Sequence, residues 1–159
     1  MAEKKPSESE IQMREMVMPG DTNEHGTIFG GKIMSWIDIA CAMVATKHSG
    51  HPVVTVHIDD IDFISPIKVG HHVIIKASMN YTGRTSMVIG VKVESENPYN
   101  GQIRKTTKAY MTFVALDDFG KPIEVAKLVP QTDQEKRRYN NAEKRKEAKV
   151  RLNSSLEST

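Results

Sequence analysis

Cysteine is nearly missing from this chain. Cys41 is the single thiol in 159 residues, which excludes an internal disulfide and a thiolate metal cluster. No stretch approaches the roughly 18 apolar residues that a membrane-spanning helix needs. The start, Met1 to Glu10, is polar and charged, without the apolar core of a signal segment. The expectation is a cytoplasmic protein with no membrane contact, in which Asn80-Tyr81-Thr82 and Asn153-Ser154-Ser155 are chance glycosylation matches. The main body also lacks an excess of positive charge. Residues 1–130 hold 14 Lys/Arg against 15 Asp/Glu, and residues 131–159 hold 8 against 5, so the net +2 comes from the tail. That balance gives no basis for nucleic-acid binding by the main body.

The length fits one domain with an appendage. Residues 1–10 read as a disordered leader, and Ile11 to Met18 as a first strand broken by Pro19 and Gly20. A polar loop, Asp21 to Gly26, follows. From Lys32 to Lys47, Ile33, Trp36, Ile37, Ala40 and Val44 recur at helical spacing, and Met34, Cys41, Ala42 and Ala45 make the other side apolar as well. A helix apolar nearly all round is a buried helix. Val53 to Leu116 alternates as antiparallel strands, with breaks at Ser65-Pro66, Thr82-Gly83-Arg84 and Asn97-Pro98-Tyr99-Asn100-Gly101. One buried helix followed by long strands is an α+β arrangement. Covering the helix on every side calls for a curved sheet wrapped round it, a partner subunit, or both. Residues 131–152 form a second, strongly basic helix, opened by the capping box Thr132-Asp133-Gln134-Glu135. Its thin apolar stripe, Tyr139, Ala142 and Val150, fits a solvated surface helix or an arm at an oligomer interface.

Asp38 stands out among residues that could do chemistry. It lies between Ile37 and Ile39 in a helix that otherwise avoids charge, where a lone carboxylate is costly unless it is paired or its pKa rises. It either caps a polar interface or works as a general base facing a cavity or subunit seam. Upstream, Gly26-Thr27-Ile28-Phe29-Gly30-Gly31 runs into the helix start, where unpaired amides at Gly30 and Gly31 suit a phosphate or a polarised carbonyl oxygen. The spacing Gly26-x-x-x-x-Gly31-Lys32 matches a phosphate-binding loop, but Ile33 stands where Ser or Thr should hold magnesium and no strand leads in. Asn23 is either a turn former or a site residue. Arg84, Thr85 and Ser86 either end a hairpin or hold a phosphate. His25 lies near Asp21 and Glu24 without converging ligands, and His48, His51, His57, His71 and His72 show no ligand spacing, so no metal is expected. No G-x-S-x-G elbow is present.

The combination Asp21-Thr22-Asn23-x-x-Gly26-x-x-Phe29-Gly30-Gly31 with Asp38 resembles the signature of hotdog-fold acyl-CoA thioesterases, in the YciA and brain acyl-CoA hydrolase group. The resemblance continues through Val54-Thr55-Val56, Phe63, Pro66, Val69-Gly70, Gly83-Arg84-Thr85-Ser86 and Phe113-Val114-Ala115, covering residues 11–130. It implies a long central helix wrapped by a curved antiparallel sheet of five to six strands. It also implies a homo-oligomer whose dimer is the catalytic unit, commonly a hexamer built as a trimer of dimers. The implied reaction cleaves fatty acyl-CoA to free fatty acid and coenzyme A. No separate cofactor is required, since coenzyme A is part of the substrate and a product. By resemblance Asp38 is base or nucleophile, Asn23 comes from the opposite subunit, Gly30 and Gly31 present amides to the thioester carbonyl, and Arg84, Thr85 and Ser86 lie near coenzyme A. Thr27 departs from members that carry Asp there, so no loop aspartate is assigned. The alternatives are a hotdog dehydratase or hydratase, for which His25 is the only loop candidate, and a non-catalytic acyl-CoA-binding regulator.

Overall fold

The computed structural model describes residues 2–157. The apolar spacing produces helix α1 (Gly30–Ser49), which ends where Gly50 adopts a left-handed φ of 71° and donates its N–H to Thr46 O at 2.7 Å. The helix starts at Gly30 rather than Lys32, because the glycines themselves form its first turn. The alternating segments produce β2 (Ile11–Met16), β3 (Val53–Phe63), β4 (His72–Thr82), β5 (Ser86–Asn97) and β6 (Gln102–Ala115). They pair in the order β2-β4-β5-β6-β3, antiparallel throughout. Five strands cradle one long helix, as the resemblance implies. β2 stops short of Met18 because Asp21 turns back: its carboxylate accepts from Met18 N at 3.0 Å within the short helical turn Pro19–Asp21.

The core lies between α1 and the sheet face carrying Ile75, Met79, Met87, Ile89, Met111 and Phe113. Only one side of α1 is covered. Ile33, Ile37, Ala40, Cys41 and Val44 are buried, whereas Ile39 is 50% and Met43 43% exposed. Burying the exposed half of each against another surface contributes roughly 1 kcal/mol. β3 is an edge strand that also exposes Val54, Val56 and Ile58. An unpaired edge with apolar side chains is a template for another strand.

The leader differs from expectation. Instead of being disordered, β1 (Glu3–Lys4) pairs in parallel with β7 (Lys127–Leu128), and Pro6 and Ser9 are buried. Lys4 Nζ then donates to Lys47 O and His48 O at the end of α1, at 3.3 and 2.9 Å. A cation there satisfies carbonyls that the helix leaves open. The basic helix runs as α2 (Asp133–Glu157), and its capping box forms: Glu135 N donates to Thr132 Oγ1 and Thr132 N to Glu135 Oε1. α2 is not free in solvent. Ala142 is buried, and Tyr139 packs on Tyr81 of β4 with ring centroids 5.0 Å apart, on the sheet face away from α1.

Candidate active site

Asp38 projects from the middle of α1 towards the start of β3. It is half-buried, not enclosed in the core. Thr55 Oγ1 donates to Asp38 Oδ1 at 2.7 Å. Thr55 faces the helix because it pairs with Phe113, which pairs in turn with Met87, and both of those are core residues. A bulge between Thr55 and His57 then shifts the strand, so the pair marks the last regular position before the irregularity. One turn along, burial and then the Asp38 charge push the Cys41 thiol well above its usual range, leaving it a protonated, inert neighbour. Sequence reasoning singled out Asp38 and named Thr55 only within the Val54-Thr55-Val56 stretch, without a role. Its one local signal was a hydroxyl in a strand of valines.

Asn23 lies in the loop before α1, and its carboxamide oxygen is occupied. It accepts from His25 N at 2.9 Å, from Thr27 N at 3.3 Å and from Thr27 Oγ1 at 3.2 Å. The turn-forming role is therefore present. The Nδ2 donors make no hydrogen bond among the described residues, so the amide end is open to a ligand. Thr27 spends its hydroxyl on this loop.

Gly30 and Gly31 form the first turn of α1 after Phe29, which supplies no side-chain cap. Their amides meet no protein acceptor among the described residues. A Cβ at Gly31 would lie 2.6 Å from Phe29 Cε1, so a larger residue would displace that exposed ring. Gly30 lies under Phe63, whose ring is half exposed. The result is a set of open donors rimmed by aromatic surface.

Arg84, Thr85 and Ser86 connect β4 to β5. Their backbone is fixed by Ala115 N to Thr85 O, Val125 N to Arg84 O and Gly83 N to Ser86 O. The Arg84 side chain is largely exposed and forms an ion pair with Glu124 at 3.7 Å. Ser86 pairs with Val114 and Val114 with Val54, so this segment shares a sheet end with Thr55 and Asp38.

One protomer thus brings together Asp38, Thr55 and the Arg84–Ser86 turn at one end, and Asn23, Gly30 and Gly31 at the other. From Gly30 to Asp38 the helix rises about 12 Å. The two halves do not meet within one chain. Of the histidines, His25 has a 75% exposed side chain, whose ring lies 3.3 Å from the Glu24 carboxylate. His57 pairs with Asp59, but the register places both opposite Thr112 and Tyr110, on the sheet face away from Asp38. Among the described residues no group of three His, Cys, Asp or Glu side chains is placed to hold a metal.

The family model of the thioesterase superfamily matches residues 25–102. The uncharacterized acyl-CoA thioester hydrolase YkhA of Bacillus subtilis is 38% identical over 138 residues, 87% of this chain and 80% of its own. The chain belongs to the hotdog-fold acyl-CoA thioesterases. Its structure superposes on an apo-hexameric acyl-CoA thioesterase with a TM-score of 0.92 at 40% identity, covering 96% of this chain and 97% of that one. It also superposes on Staphylococcus aureus acyl-CoA hydrolase in complex with butyryl coenzyme A, coenzyme A and coenzyme A disulfide, with a TM-score of 0.86 at 38% identity and 98% of each chain covered. Alanine variants of the S. aureus enzyme at an aspartate, an asparagine and a threonine have also been solved.

Proposed function

We infer that this protein hydrolyses acyl-CoA thioesters to a carboxylic acid and free coenzyme A, at sites shared between two subunits. The observation that carries the reading is the Thr55–Asp38 hydrogen bond beside an unpaired, apolar strand edge. It leaves Asp38 Oδ2 free, with its partner oxygen fixed. The asparagine, aspartate and threonine replaced in the S. aureus enzyme follow the order and spacing of Asn23, Asp38 and Thr55, which supports the same reading.

Pairing β3 with β3 of a second copy covers Val54, Val56 and Ile58 and brings the helix start of one chain towards the Asp38 end of the other. Asp38 then takes a proton from a water molecule that attacks the thioester carbonyl. The Gly30 and Gly31 amides of the opposite chain hold the oxygen as it gains negative charge, and the Asn23 Nδ2 donor orients water or carbonyl. When the C–S bond breaks, the proton passes from Asp38 to the departing thiolate. Direct attack by the Asp38 carboxylate, forming an anhydride that water then opens, uses the same geometry. In this reading Arg84, Thr85 and Ser86 hold the coenzyme A portion of the substrate. No cofactor is needed beyond the coenzyme A of the substrate. The hexameric form of a related thioesterase supports a hexamer, built in this reading as a trimer of such dimers. In the same reading the protein works in the cytoplasm, with no nucleic-acid partner. Thiol release from a series of acyl-CoAs tests the reading. Absence of release from every chain length, by a protein of verified fold and assembly, rules it out.

A further inference from the structure

α1 and β3 touch on either side of an open apolar groove. At one end Thr55 Oγ1 donates to Asp38 Oδ1. At the other the Phe63 ring lies over Gly30, its Cζ 3.5 Å from where a Cβ would sit. Thr55, Ile58 and Phe63 pair in register with Phe113, Met111 and Thr107 of β6, so all three face α1. On the helix, Gly30, Met34 and Asp38 recur every four residues and share one flank. Met34 and Ile58 therefore stand between the two contacts, one on each wall. Both are 39% exposed.

The chemistry at Asp38 gives this groove a direction. Arg84, Thr85 and Ser86 lie at the sheet end where β3 begins, since Ser86 pairs with Val114 and Val114 with Val54. With coenzyme A held there, the sulfur side of the thioester points from Asp38 towards the start of β3. The acyl side points the other way, along α1 towards its first turn, and meets Met34 first. Four helix residues rise about 6 Å, the reach of about four or five carbon–carbon bonds in an extended chain. Ile58 is branched and stiff, Met34 unbranched and adaptable, so together they form a narrow collar. Beyond it lies Gly30, whose amides serve the site of the opposite chain, so a long acyl group would run into that second site.

Given thioester hydrolysis at Asp38, on which this inference rests, we propose that Met34, with Ile58 across the groove, sets the acyl chain length. Acyl groups of up to about six carbons fit between Asp38 and the collar, and longer ones are selected against. Pairing of β3 with a second copy closes the groove on its outer side. Met34→Ala opens it as far as Phe63.

The test is thiol release across saturated substrates from acetyl-CoA to palmitoyl-CoA, by wild type, Met34→Ala, Met34→Phe and Ile58→Ala, each verified as the wild-type oligomer. Wild type should favour butyryl-CoA over palmitoyl-CoA. In Met34→Ala the palmitoyl-to-butyryl ratio of kcat/KM should rise at least about tenfold, with acetyl-CoA turnover within about threefold of wild type. Ile58→Ala should move the ratio the same way, and Met34→Phe the opposite way. Met43→Ala removes the same side chain from the exposed face of α1 and should leave the ratio unaltered. An unchanged profile in all three groove variants, with wild type active, overturns this inference and leaves the hydrolase reading standing. A wild type that prefers palmitoyl-CoA, or an equal shift in Met43→Ala, overturns it as well. No thiol release by wild type from any chain length overturns both.

Discussion

Thr55 Oγ1 donates to Asp38 Oδ1 at 2.7 Å, joining the edge strand of the sheet to the middle of the central helix. A hydrogen bond to a charged group contributes about 1.5–3 kcal/mol. If it holds the carboxylate in the reactive orientation, Thr55→Val lowers kcat roughly 10- to 100-fold with little change in KM. Thr55→Ser, which keeps the hydroxyl, restores most of the rate. Steady-state kinetics on a short acyl-CoA checks this. A rise in KM with kcat unchanged would point to a substrate-binding role instead.

The separation of Asn23 from Asp38 along α1 makes complementation the test of a shared site. Equal mixtures of Asn23→Ala and Asp38→Ala subunits, after exchange, place one intact site in each mixed dimer. With random pairing about a quarter of wild-type sites return. Thiol release from the mixture, compared with each variant alone, should recover to that order. Proven exchange without recovery would show that each chain supplies its own complete site.

The exposed apolar edge of β3 predicts a second dependence. Val56 is 52% exposed and sits at the bulge, so a charge there costs a lone protomer little. Val56→Lys should shift the protein to monomers in analytical ultracentrifugation, and turnover should fall with assembly while circular dichroism is retained. A monomeric variant with full turnover would contradict the seam location.

His48 gives stability a pH dependence. It is fully buried at the end of α1, its Nε2 hydrogen-bonds to Ala126 O at 2.7 Å, and its Nδ1 has no partner. Burial holds its pKa below the usual histidine value, the largest influence on it. The unfolded chain therefore binds the proton more readily than the folded one. The stabilising contribution is complete above the unfolded value of about 6.5 and is lost as pH falls through the lower, folded value. Melting temperature should drop from pH 7 to pH 5, and His48→Gln should flatten that drop. Glu94, held low chiefly by Lys76, adds a loss only in the more acid range where carboxylates protonate. An unchanged slope in the His48 variant would assign the pH effect elsewhere.

What was legible in the sequence was whatever has a local period. The spacing of Ile33, Ile37, Ala40 and Val44 marked α1, the alternation in Val73 to Tyr81 and Met87 to Val93 marked the long strands, and Thr132 with Glu135 marked the start of α2. Asp38 was legible because a charge in an apolar helix is locally anomalous. What was missed depends on distant pairing. The leader is ordered because Glu3 and Lys4 meet Lys127 and Leu128, more than a hundred residues away. Thr55 acquires its role only through a register that turns it towards α1. α2 packs on the outer sheet face through Tyr139 on Tyr81, which no periodicity in a charged helix announces.

The central claim is that Asp38 carries thioester hydrolysis. The most direct measurement compares thiol release and coenzyme A affinity in wild type and Asp38→Ala, both assembled to the same oligomer. The expected result is a loss of turnover of about 10²–10⁴-fold with coenzyme A binding nearly unchanged. Near wild-type turnover in a correctly folded Asp38→Ala protein would contradict the account.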